Sequence, residues 1–565
     1  MAPLSIKRKT NIKSPFFRSF RLFPRTTFHT LKILKDNTTF VLQTRCNFIE
    51  LNAAIMSKIW LNNIMRYVLR TRMRRINYFS AHPHEVQSAL LSQCLNTARE
   101  TEWGKMHDFS GIRTPQDFAR HVPVQDYESL KPYINRMMHG ESNVLWEGQV
   151  KWFSKSSGTT SDKSKYIPVT IGNLKTCHLK GAWDTSALLY HNRPETTTFA
   201  GKMLVMGGST TIFDPHPATQ FGDVSGIMLQ HMPAVGNYIY APSLDIATMS
   251  NTEDKIEQMA HALIGQDMRS IAGVPTWTVV LLRRILEITK KDHILEVWPN
   301  LDVYVHGGVS FTPYRQTFSE LIPKKDFNYW EIYNASEGFF SAQSAIGADD
   351  MLLLLQNGIY YEFLPESEWS SATPIAIPLS EVEVGRHYAP VITTNSGLWR
   401  YIVGDTVMFT SKNPYKIQVT GRTKQFVNAF GEEVMVANTD HALAETCQQF
   451  DARVVDYTVA PIYFAGENGK GGHEWLIEFE RAPADLEAFN NALDLNLQRN
   501  NSDYEAKRYK AMAMERLLLR SVPKGTFNNW LKVKGKYGGQ SKVPRLANSR
   551  KIVEEILDFV SSGTV

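Results

Sequence analysis

Apolar residues recur at helical spacing through the first part of the chain and then give way to alternating strand and helix patterns. From Met56 to about Val150 the pattern is helical, as in HEVQSALLSQCLNTARETEWG, where apolar positions lie three and four apart and a glycine ends the run. Beyond Val150, strand-like runs such as LDVYVHGGVSF alternate with helical stretches such as TEDKIEQMAHALIGQ. This order predicts an α/β architecture whose ligand site lies at the strand ends.

Short β-strands dominate a later part of the chain, and a second β/α pattern follows them. NGIYYEFLP, VGRHYAPVITTNSGLWRYIVGDTVMFT and YKIQVTGRTKQFV are alternating runs punctuated by glycines. Beyond Lys424 a helix, two strands, a helix and a strand are predicted. We therefore predict a large α/β domain with a β-barrel-like portion over residues 56–423 and a small, mobile α/β domain over residues 424–565.

Positive charge is concentrated at the start of the chain. The net charge is +6, and residues 1–55 carry ten Lys and Arg against Asp36 and Glu50, so the rest is nearly neutral. A neutral body argues against nucleic-acid binding by the main domains. The basic, hydroxyl-rich composition of residues 1–55 is typical of a transit peptide. The alternative is that the native protein begins at Met56 and that the start upstream of it is an artefact. Binding of nucleic acid by residues 1–55 alone is a further alternative.

The spacing of the cysteines and the hydropathy of the chain favour a cytoplasmic protein. The cysteines are far apart, without CxxC or a histidine cluster at metal-ligand spacing: Cys46, Cys94, Cys177 and Cys447. This distribution argues against a disulfide framework or a structural zinc and favours a reducing compartment. No apolar run reaches the length of a membrane span. We expect a soluble, cytoplasmic protein.

A loop crowded with hydroxyls, SKSSGTTSDKSKYIPVT from Ser154 to Thr170, has the chemistry of a phosphate-binding segment. Its Ser and Thr side chains surround Gly158, which lets the backbone approach a ligand closely, and Lys163 and Lys165 add positive charge. The Walker A pattern is absent, so a P-loop nucleotidase is disfavoured. Taken alone, a segment of this composition is more often a solvated linker.

Further polar side chains follow predicted strands later in the chain. They are Tyr333, Ser336 and Glu337 in YNASEG, Asp405 in the turn of WRYIVGDTV, Arg422 and Lys424 in GRTKQFVNAFGEEV, and Lys542 in YGGQSKVPR. Each has a structural alternative. Glu337 suits a helix N-terminus, Asp405 suits an ordinary turn, and the cations suit a solvated surface. Their joint order favours nucleotide chemistry instead, because motifs gain weight from agreeing context.

This succession of motifs resembles the adenylate-forming enzyme superfamily. From about Met56 to Arg550 the chain is similar to the Gretchen Hagen acyl acid–amido synthetases, an auxin-responsive promoter family known from plant auxin and jasmonate conjugation. The matching segments are SSGTT, YNASEGFF, YYEFLP, TTNSGLWRYIVGD and GTFNNW…GGQSKVPR. The last two are specific to this branch. The resemblance implies two domains, with ATP bound between them.

The resemblance also implies roles for the candidate residues. Lys165 and the loop residues would wrap the ATP phosphates; the loop residues are Ser156, Ser157, Gly158, Thr159 and Thr160. Glu337 would help to hold Mg²⁺, which takes carboxylate and phosphate oxygens. Tyr333 and Ser336 would lie near the adenine or the α-phosphate, and Asp405 would accept hydrogen bonds from the ribose hydroxyls.

The remaining cations are implied to act between the two domains. Arg422 and Lys424 would lie at the hinge, and Lys542 would neutralise charge at the α-phosphate and the substrate carboxylate. The implied reaction joins a small carboxylic acid to an amino acid through an acyl-adenylate, releasing pyrophosphate and AMP. No nucleic-acid or membrane partner is expected. The alternatives are an acyl-CoA ligase with the same intermediate and a non-catalytic binding protein with the same fold.

Two positions depart from the family pattern. Asp162 stands where a Gly-Gly pair is usual, and it places a carboxylate beside the expected phosphates. Gly338 replaces a bulkier residue, so we expect the neighbouring pocket to differ in shape. Nearby, His306 is expected to face the acyl pocket as a packed, hydrogen-bonded side chain. Trp152, Trp277 and Phe311 are expected to fill the core.

Overall fold

The computed structural model describes most of the chain beyond residue 37. The described residues are 38–157, 164–232, 236–309, 311, 314–369, 371–423, 425–463, 470–534 and 543–562. The chain separates into two units, Met1–Ser57 and Lys58–Val565. All of the site residues discussed below lie in the second unit.

The described chain before the first strand is helical, as the apolar spacing predicts, and the later helices alternate with strands. They are α1 (Thr38–Ala81), α2 (Pro83–Ala98), α3 (Glu102–Met106), α4 (Pro115–His121), α5 (Tyr127–Met138), α6 (Ile171–Asn173), α7 (Leu179–Asn192), α8 (Val224–Gln230), α9 (Gly236–Ile239), α10 (Leu244–Ala247), α11 (Thr252–Ile264), α12 (Pro275–Thr289), α13 (Arg315–Leu321), α14 (Val436–Gln449), α15 (Leu486–Asn500), α16 (Ser502–Arg508), α17 (Thr526–Val533) and α18 (Lys551–Ser561). Helix α1 begins well before Met56, where the helical pattern becomes clear in the sequence.

The strands follow in mixed order. They are β1 (Trp152–Ser157), β2 (Ser164–Val169), β3 (Lys202–Val205), β4 (Thr210–Ile212), β5 (Gln220–Gly222), β6 (Tyr240–Ala241), β7 (Met268–Ala272), β8 (Val303–His306), β9 (Asn328–Ala335), β10 (Gly338–Gln343), β11 (Met351–Leu353), β12 (Ile359–Pro365), β13 (Ile377–Pro378), β14 (His387–Thr394), β15 (Tyr401–Ile402), β16 (Asp405–Lys412), β17 (Tyr415–Arg422), β18 (Phe426–Val427), β19 (Val434–Met435), β20 (Arg453–Ile462), β21 (Gly472–Arg481) and β22 (Leu518–Val522).

One 13-stranded sheet organises the large part of the molecule. Its order is β13-β12-β14-β16-β17-β11-β10-β9-β8-β7-β3-β6, with β15 paired to β14. Strands β6, β3, β7, β8 and β9 are parallel, whereas β9 onward to β13 pair antiparallel. The β-rich portion that the sequence predicts to be barrel-like therefore forms the antiparallel half of this sheet. The predicted mixed α/β fold is confirmed.

The described residues also form three smaller sheets, one of which is the two-stranded β18-β19. Strands β2-β1-β5-β4 form a sheet that carries the hydroxyl-rich loop, and β20-β21-β22 form the sheet of the C-terminal part. A buried apolar cluster runs from α11 and α12 into α14, α15 and β20, and includes Leu282, Phe430 and Trp475. The smaller C-terminal part therefore packs directly against the helices of the parallel half-sheet.

The sequence argues against a membrane span and against a disulfide framework, and both expectations can be compared with the structure. No helix in the described part of the chain is long and apolar enough to cross a bilayer. Cys94, Cys177 and Cys447 are free thiols, as the scattered spacing predicts. Burial raises the pKa of both Cys94 and Cys177 to about 12, so these thiols stay protonated and unreactive near neutral pH.

A buried ion pair joins the antiparallel half-sheet to the N-terminal helices. The Arg400 side chain donates two hydrogen bonds to the Glu362 carboxylate, at 2.8 and 2.9 Å, and both side chains are 5% exposed. Its remaining donors reach the carbonyl oxygens of Ala119 and Val122, at 3.0 and 2.7 Å. Four of the five guanidinium N–H groups thus have acceptors, and these bonds offset much of the desolvation cost of burying the pair.

Replacing one member of this pair should destabilise the fold strongly. Arg400→Met leaves the Glu362 carboxylate buried and unpaired, so we expect a loss of about 3–5 kcal/mol in the free energy of unfolding. Arg386→Met is the matched control, because Arg386 pairs with Glu383 at the surface, where such pairs contribute about 0–1 kcal/mol. Urea unfolding followed by circular dichroism measures both. Equal losses in the two variants would contradict the expectation.

Candidate active site

A cavity of about 1800 Å³ lies where the parallel strands end. Strands β3, β7 and β8 run into it through Met206, Gly273 and Gly307, and β9 enters it through Tyr333. Ligands of open α/β sheets bind outside the carboxyl ends of the strands, so this is the expected position. The predicted residues that line the cavity are Ser156, Lys165, Tyr333, Ser336, Glu337, Asp405 and Arg422.

Asp405 is held by donors from two other strands of the main sheet. The Tyr333 hydroxyl on β9 donates to Asp405 Oδ2 at 2.6 Å, and Arg422 Nε on β17 lies 2.8 Å from Asp405 Oδ1. Asp405 is the first residue of β16 and stands opposite Arg422 in the β16–β17 register. It is therefore a strand residue, not the turn residue that the sequence predicted; the turn is Gly404, with φ 94°.

Arg422 lies between carboxylates. Besides Asp405, its guanidinium pairs with Glu433 and lies 5.4 Å from the centre of the Phe426 ring. Burial acts to lower the pKa of Arg422, but the neighbouring carboxylates, first Glu433 and then Asp405, outweigh it and raise that pKa. Burial and the Asp405 charge also raise the pKa of Tyr333, which stays a neutral donor. Arg422 is therefore charged and Tyr333 neutral near neutral pH.

Glu337 lies in the tight turn between β9 and β10. Ala335 and Gly338 pair across the turn, which leaves Ser336 and Glu337 at its tip, facing the cavity. Glu337 is only 7% exposed, and burial raises the pKa of its carboxyl, while the charge of Lys165 opposes that rise. The turn excludes the alternative that Glu337 is an acid at a helix N-terminus.

The packing around Gly338, the residue after Glu337, favours glycine at this position. A Cβ atom at Gly338 would lie 2.5 Å from Cδ1 of Ile359, so a side chain there would require the Ile359 side chain to move. Gly338 does not line the cavity, although the sequence suggested that this substitution would change the pocket. The departure from the family pattern instead lets Ile359 pack behind the turn.

Ser156 and Lys165 stand opposite each other in the β1–β2 hairpin. Lys165 Nζ lies 5.8 Å from the centre of the Tyr127 ring, and the Tyr127 hydroxyl accepts the backbone N–H of Tyr166 at 2.9 Å. This hairpin therefore delivers an ammonium and a hydroxyl to the cavity wall opposite Glu337.

Several predicted residues lie outside the part that the structure describes. They are Gly158, Thr159, Thr160, Asp162, Lys163, Lys424 and Lys542, together with the side chain of Ser157. Ser156 and Lys165, on either side of residues 158–163, line the cavity, and Leu546 and Arg550 after Lys542 also line it. The placement of these residues remains a sequence-based prediction.

The positions of the aromatic residues near the cavity agree only in part with those that the sequence predicts. Phe311 is buried as predicted, 4.0 Å from the His306 ring, and burial lowers the pKa of His306 to about 3. His306 is packed as expected, and among the described residues its Nδ1 has no hydrogen-bond partner. Trp277 lines the cavity instead of filling the core, and Lys507, which the sequence did not single out, lies beside it.

No ready-made metal centre is present in the ranges described, since no three His, Cys, Asp or Glu side chains come together there. Glu337 is the carboxylate that faces both Lys165 and the cavity. One carboxylate combined with phosphate oxygens of a bound substrate is a common environment for Mg²⁺.

The fold is that of known acyl acid ligases. A structure of GH3.15 acyl acid amido synthetase superposes with a TM-score of 0.56, at 16% identity, over 86% of this chain and 95% of that chain. A 2-hydroxyisobutyryl-CoA ligase in complex with 2-HIB-AMP and CoA superposes with a TM-score of 0.53, at 14% identity, over 85% and 93% of the two chains. The mixed sheet and the smaller C-terminal part are common to this class.

Sequence comparison gives the family. The GH3 family N-terminal, central and C-terminal domains match residues 72–327, 352–422 and 437–551. Indole-3-acetic acid-amido synthetase GH3.4 of Arabidopsis thaliana is 23% identical over 85% of this chain and 92% of its own length. The three domain matches span most of the chain, and this protein belongs to the GH3 family.

The buried carboxyl of Glu337 should make stability depend on pH. Its pKa is raised in the folded protein, so the neutral form is favoured and stability declines as pH rises from the unfolded pKa through the folded pKa. Glu337→Gln removes that decline. We expect the variant to gain about 1–3 kcal/mol over the wild type at neutral pH, with little difference at acid pH.

Thermal unfolding of both proteins between pH 4 and pH 8, without ligands, measures this difference. Glu257→Gln is a suitable control, because the Glu257 carboxylate is paired with Arg284 at the surface and its pKa is lowered, chiefly by a hydrogen bond from that residue. A constant gap between Glu337→Gln and wild type across the whole range would show that burial does not control this carboxyl.

Proposed function

We propose that the protein is an ATP-dependent acyl acid–amido synthetase. It activates a small carboxylic acid as an acyl-adenylate and transfers the acyl group to the amine of an amino acid, releasing pyrophosphate and AMP. The observation that carries the proposal is the convergence of Lys165, Glu337 and Asp405 on one cavity, although they are far apart in sequence. Membership of the GH3 family supports it.

Asp405 is suited to hold the ribose. Its carboxylate is an acceptor only, and the two donors that it already binds, Tyr333 and Arg422, leave further lone pairs facing the cavity. Both donors come from strands of the same sheet, so the carboxylate is oriented before the nucleotide arrives. Preorganisation of this kind lowers the entropy that binding must overcome.

Lys165 and the hydroxyls of the β1–β2 hairpin are suited to the phosphates. Lys165 and Ser156 line the cavity wall. There the negative charge of a polyphosphate would pair with the Lys165 ammonium, and the Ser156 hydroxyl would donate to a phosphate oxygen. Gly158, Thr159 and Thr160 would extend the same surface with backbone amides and hydroxyls. Lys165 faces Glu337, so the two residues would lie on opposite sides of the phosphates.

Glu337 is the residue that would hold Mg²⁺. When bound, the cation would neutralise charge on the phosphate oxygens during adenylation. The fit rests on the buried carboxyl: burial raises its pKa, and a nearby cation would favour its ionised form. The phosphates would supply the remaining oxygen ligands, consistent with the absence of a multi-residue metal cluster among the described residues.

The chain's own contribution to adenylation is mainly alignment and charge. Lys542, carried in from the small domain, would bind the α-phosphate and the substrate carboxylate and neutralise charge as the new P–O bond forms. Arg422 and Lys424, at the predicted boundary between residues 56–423 and 424–565, would act at the hinge as the small domain moves between the two steps. This boundary falls between the central and C-terminal family domains.

Two alternatives share the fold. An acyl-CoA ligase would pass the same adenylate to a thiol, and the superposed 2-hydroxyisobutyryl-CoA ligase makes this the stronger of the two. A non-catalytic binding protein would keep the cavity without turnover, but it would not need Lys165, Glu337 and Asp405 together. We place the reaction in the cytoplasm, with small-molecule partners and neither nucleic acid nor membrane.

The experiment that tests the function separates these alternatives. Purified protein is incubated with ATP, Mg²⁺ and pooled carboxylic acids, first to measure acid-dependent ATP–pyrophosphate exchange and then with amino acids or CoA to identify products by mass spectrometry. We expect exchange and amide products. Thioester products alone would favour the CoA ligase, and no exchange with any acid would favour the binding protein.

Variants of Asp405 and Lys542 should affect different steps. Asp405→Asn removes the charge that accepts the ribose hydrogen bonds, so we expect ATP binding to weaken by about 10- to 100-fold. Lys542→Ala should lower the adenylation rate by about 10²–10³-fold and change ATP affinity much less. Calorimetric titration with ATP and single-turnover adenylation measure the two effects.

Asp350→Asn is the matched control for Asp405→Asn. Asp350 is a half-buried carboxylate that pairs with Lys416 and accepts from Thr410, and it does not line the cavity. Unchanged ATP affinity in Asp405→Asn would remove Asp405 from the nucleotide site. Unchanged adenylation in Lys542→Ala would show that Lys542 is misassigned.

A further inference from the structure

A buried ammonium group lines the cavity without a direct ion pair in the described part of the chain. Lys507 stands at the C-terminal end of α16 and is only 7% exposed. Its Nζ lies 4.8 Å from the centre of the Trp277 ring, and both residues line the cavity. Among the residues that the structure describes, none forms a hydrogen bond or an ion pair with this Nζ.

Burial of a charge in this way is costly unless an anion is supplied. Burial lowers the pKa of Lys507, and the charges of Asp503, Glu432 and Asp223 oppose that effect. A cation–π contact contributes about 0.5–2 kcal/mol and does not replace a counterion. Gly431 keeps the space open, because a Cβ atom there would lie 3.3 Å from Lys507 Nζ. The site is therefore built to receive a negatively charged group.

A carboxylate of opposite sign faces the same part of the cavity. Asp223, between β5 and α8, accepts the backbone N–H of Ser209 at 3.1 Å, and its side chain is exposed to the cavity that it lines. Desolvation raises the pKa of Asp223, and the charges of three lysines oppose that rise: Lys507, Lys255 and Lys155. Lys255 is already bound, since its ammonium donates to the Gly207 carbonyl.

We propose that this pair of opposite charges is the subsite for the amino acid acceptor: Lys507, beside Trp277, binds the carboxylate, and Asp223 faces the amino group. The proposal rests on the function proposed above and names the part of the cavity that selects the second substrate. A zwitterion satisfies both groups at once. A pantetheine thiol carries neither charge, so the subsite favours an amino acid over CoA as the acceptor.

The test compares each acceptor with its uncharged analogue. Wild type, Lys507→Met and Lys524→Met are titrated calorimetrically with amino acids and with the carboxamide of whichever binds most tightly. Lys524 is an exposed lysine between β22 and α17 that does not line the cavity. In Lys507→Met we expect affinity for the amino acid to fall about 10- to 100-fold, with affinity for the carboxamide unchanged. Lys524→Met should match wild type.

The amino group is tested separately. Asp223→Asn should weaken binding of the amino acid and leave binding of the same carboxylic acid without its amino group unchanged. Thermal unfolding shows that each variant is folded; Lys507→Met should be at least as stable as wild type, because it removes a buried charge.

Two outcomes would overturn the subsite. The first is an equal loss for the amino acid and its carboxamide in Lys507→Met. The second is a fall in acid-dependent ATP–pyrophosphate exchange as large as the fall in acceptor affinity, which would assign Lys507 to ATP or to the acyl acid. If wild type shows no exchange but still binds the amino acid through Lys507, only the proposed function fails.

Discussion

The site depends on one buried guanidinium held between carboxylates. Arg422 contacts Asp405 on the neighbouring strand and Glu433 just before β19, and Tyr333 reaches Asp405 from β9. Each of these charges would be costly to bury alone, and each is satisfied by the next. The cluster therefore ties the parallel half of the sheet, the antiparallel half and the segment that leads into the C-terminal part to a single geometry.

Sheet topology explains why residues far apart in sequence meet. Strand β9 is the last parallel strand and the first to pair antiparallel, so its end borders both halves of the sheet. The turn after β9 carries Glu337, while β16 and β17 return to the same edge and deliver Asp405 and Arg422. A position at this junction lets groups from both halves surround one ligand.

Buried charged groups of the molecule differ in how completely the protein itself hydrogen-bonds them. Arg400 and Glu362 saturate each other and the nearby carbonyl oxygens, so their role is structural. Glu337 and Lys507 are as deeply buried but lack such saturation, and both border the cavity. Proteins retain unsatisfied buried charges mainly at functional sites, where a ligand supplies what the fold does not.

Local pattern predicted the elements well and the charge environments poorly. The parallel strands and the placement of Glu337 at a strand end follow from alternation and turn residues, whereas the one-residue difference at Asp405 lies within the usual uncertainty of an element boundary. Trp277 was expected in the core because a large aromatic in an apolar helix usually packs there. Lys507 carries no local signal, since its burial depends on Trp277 and Gly431, both distant in sequence.

A crystal structure with AMP and Mg²⁺ would examine the central claim most directly. The ribose hydroxyls should lie within hydrogen-bonding distance of the Asp405 carboxylate, with the phosphate directed toward Lys165 and Glu337. A nucleotide bound elsewhere, with Asp405 still bound only to Tyr333 and Arg422, would contradict the claim that these residues form a nucleotide site.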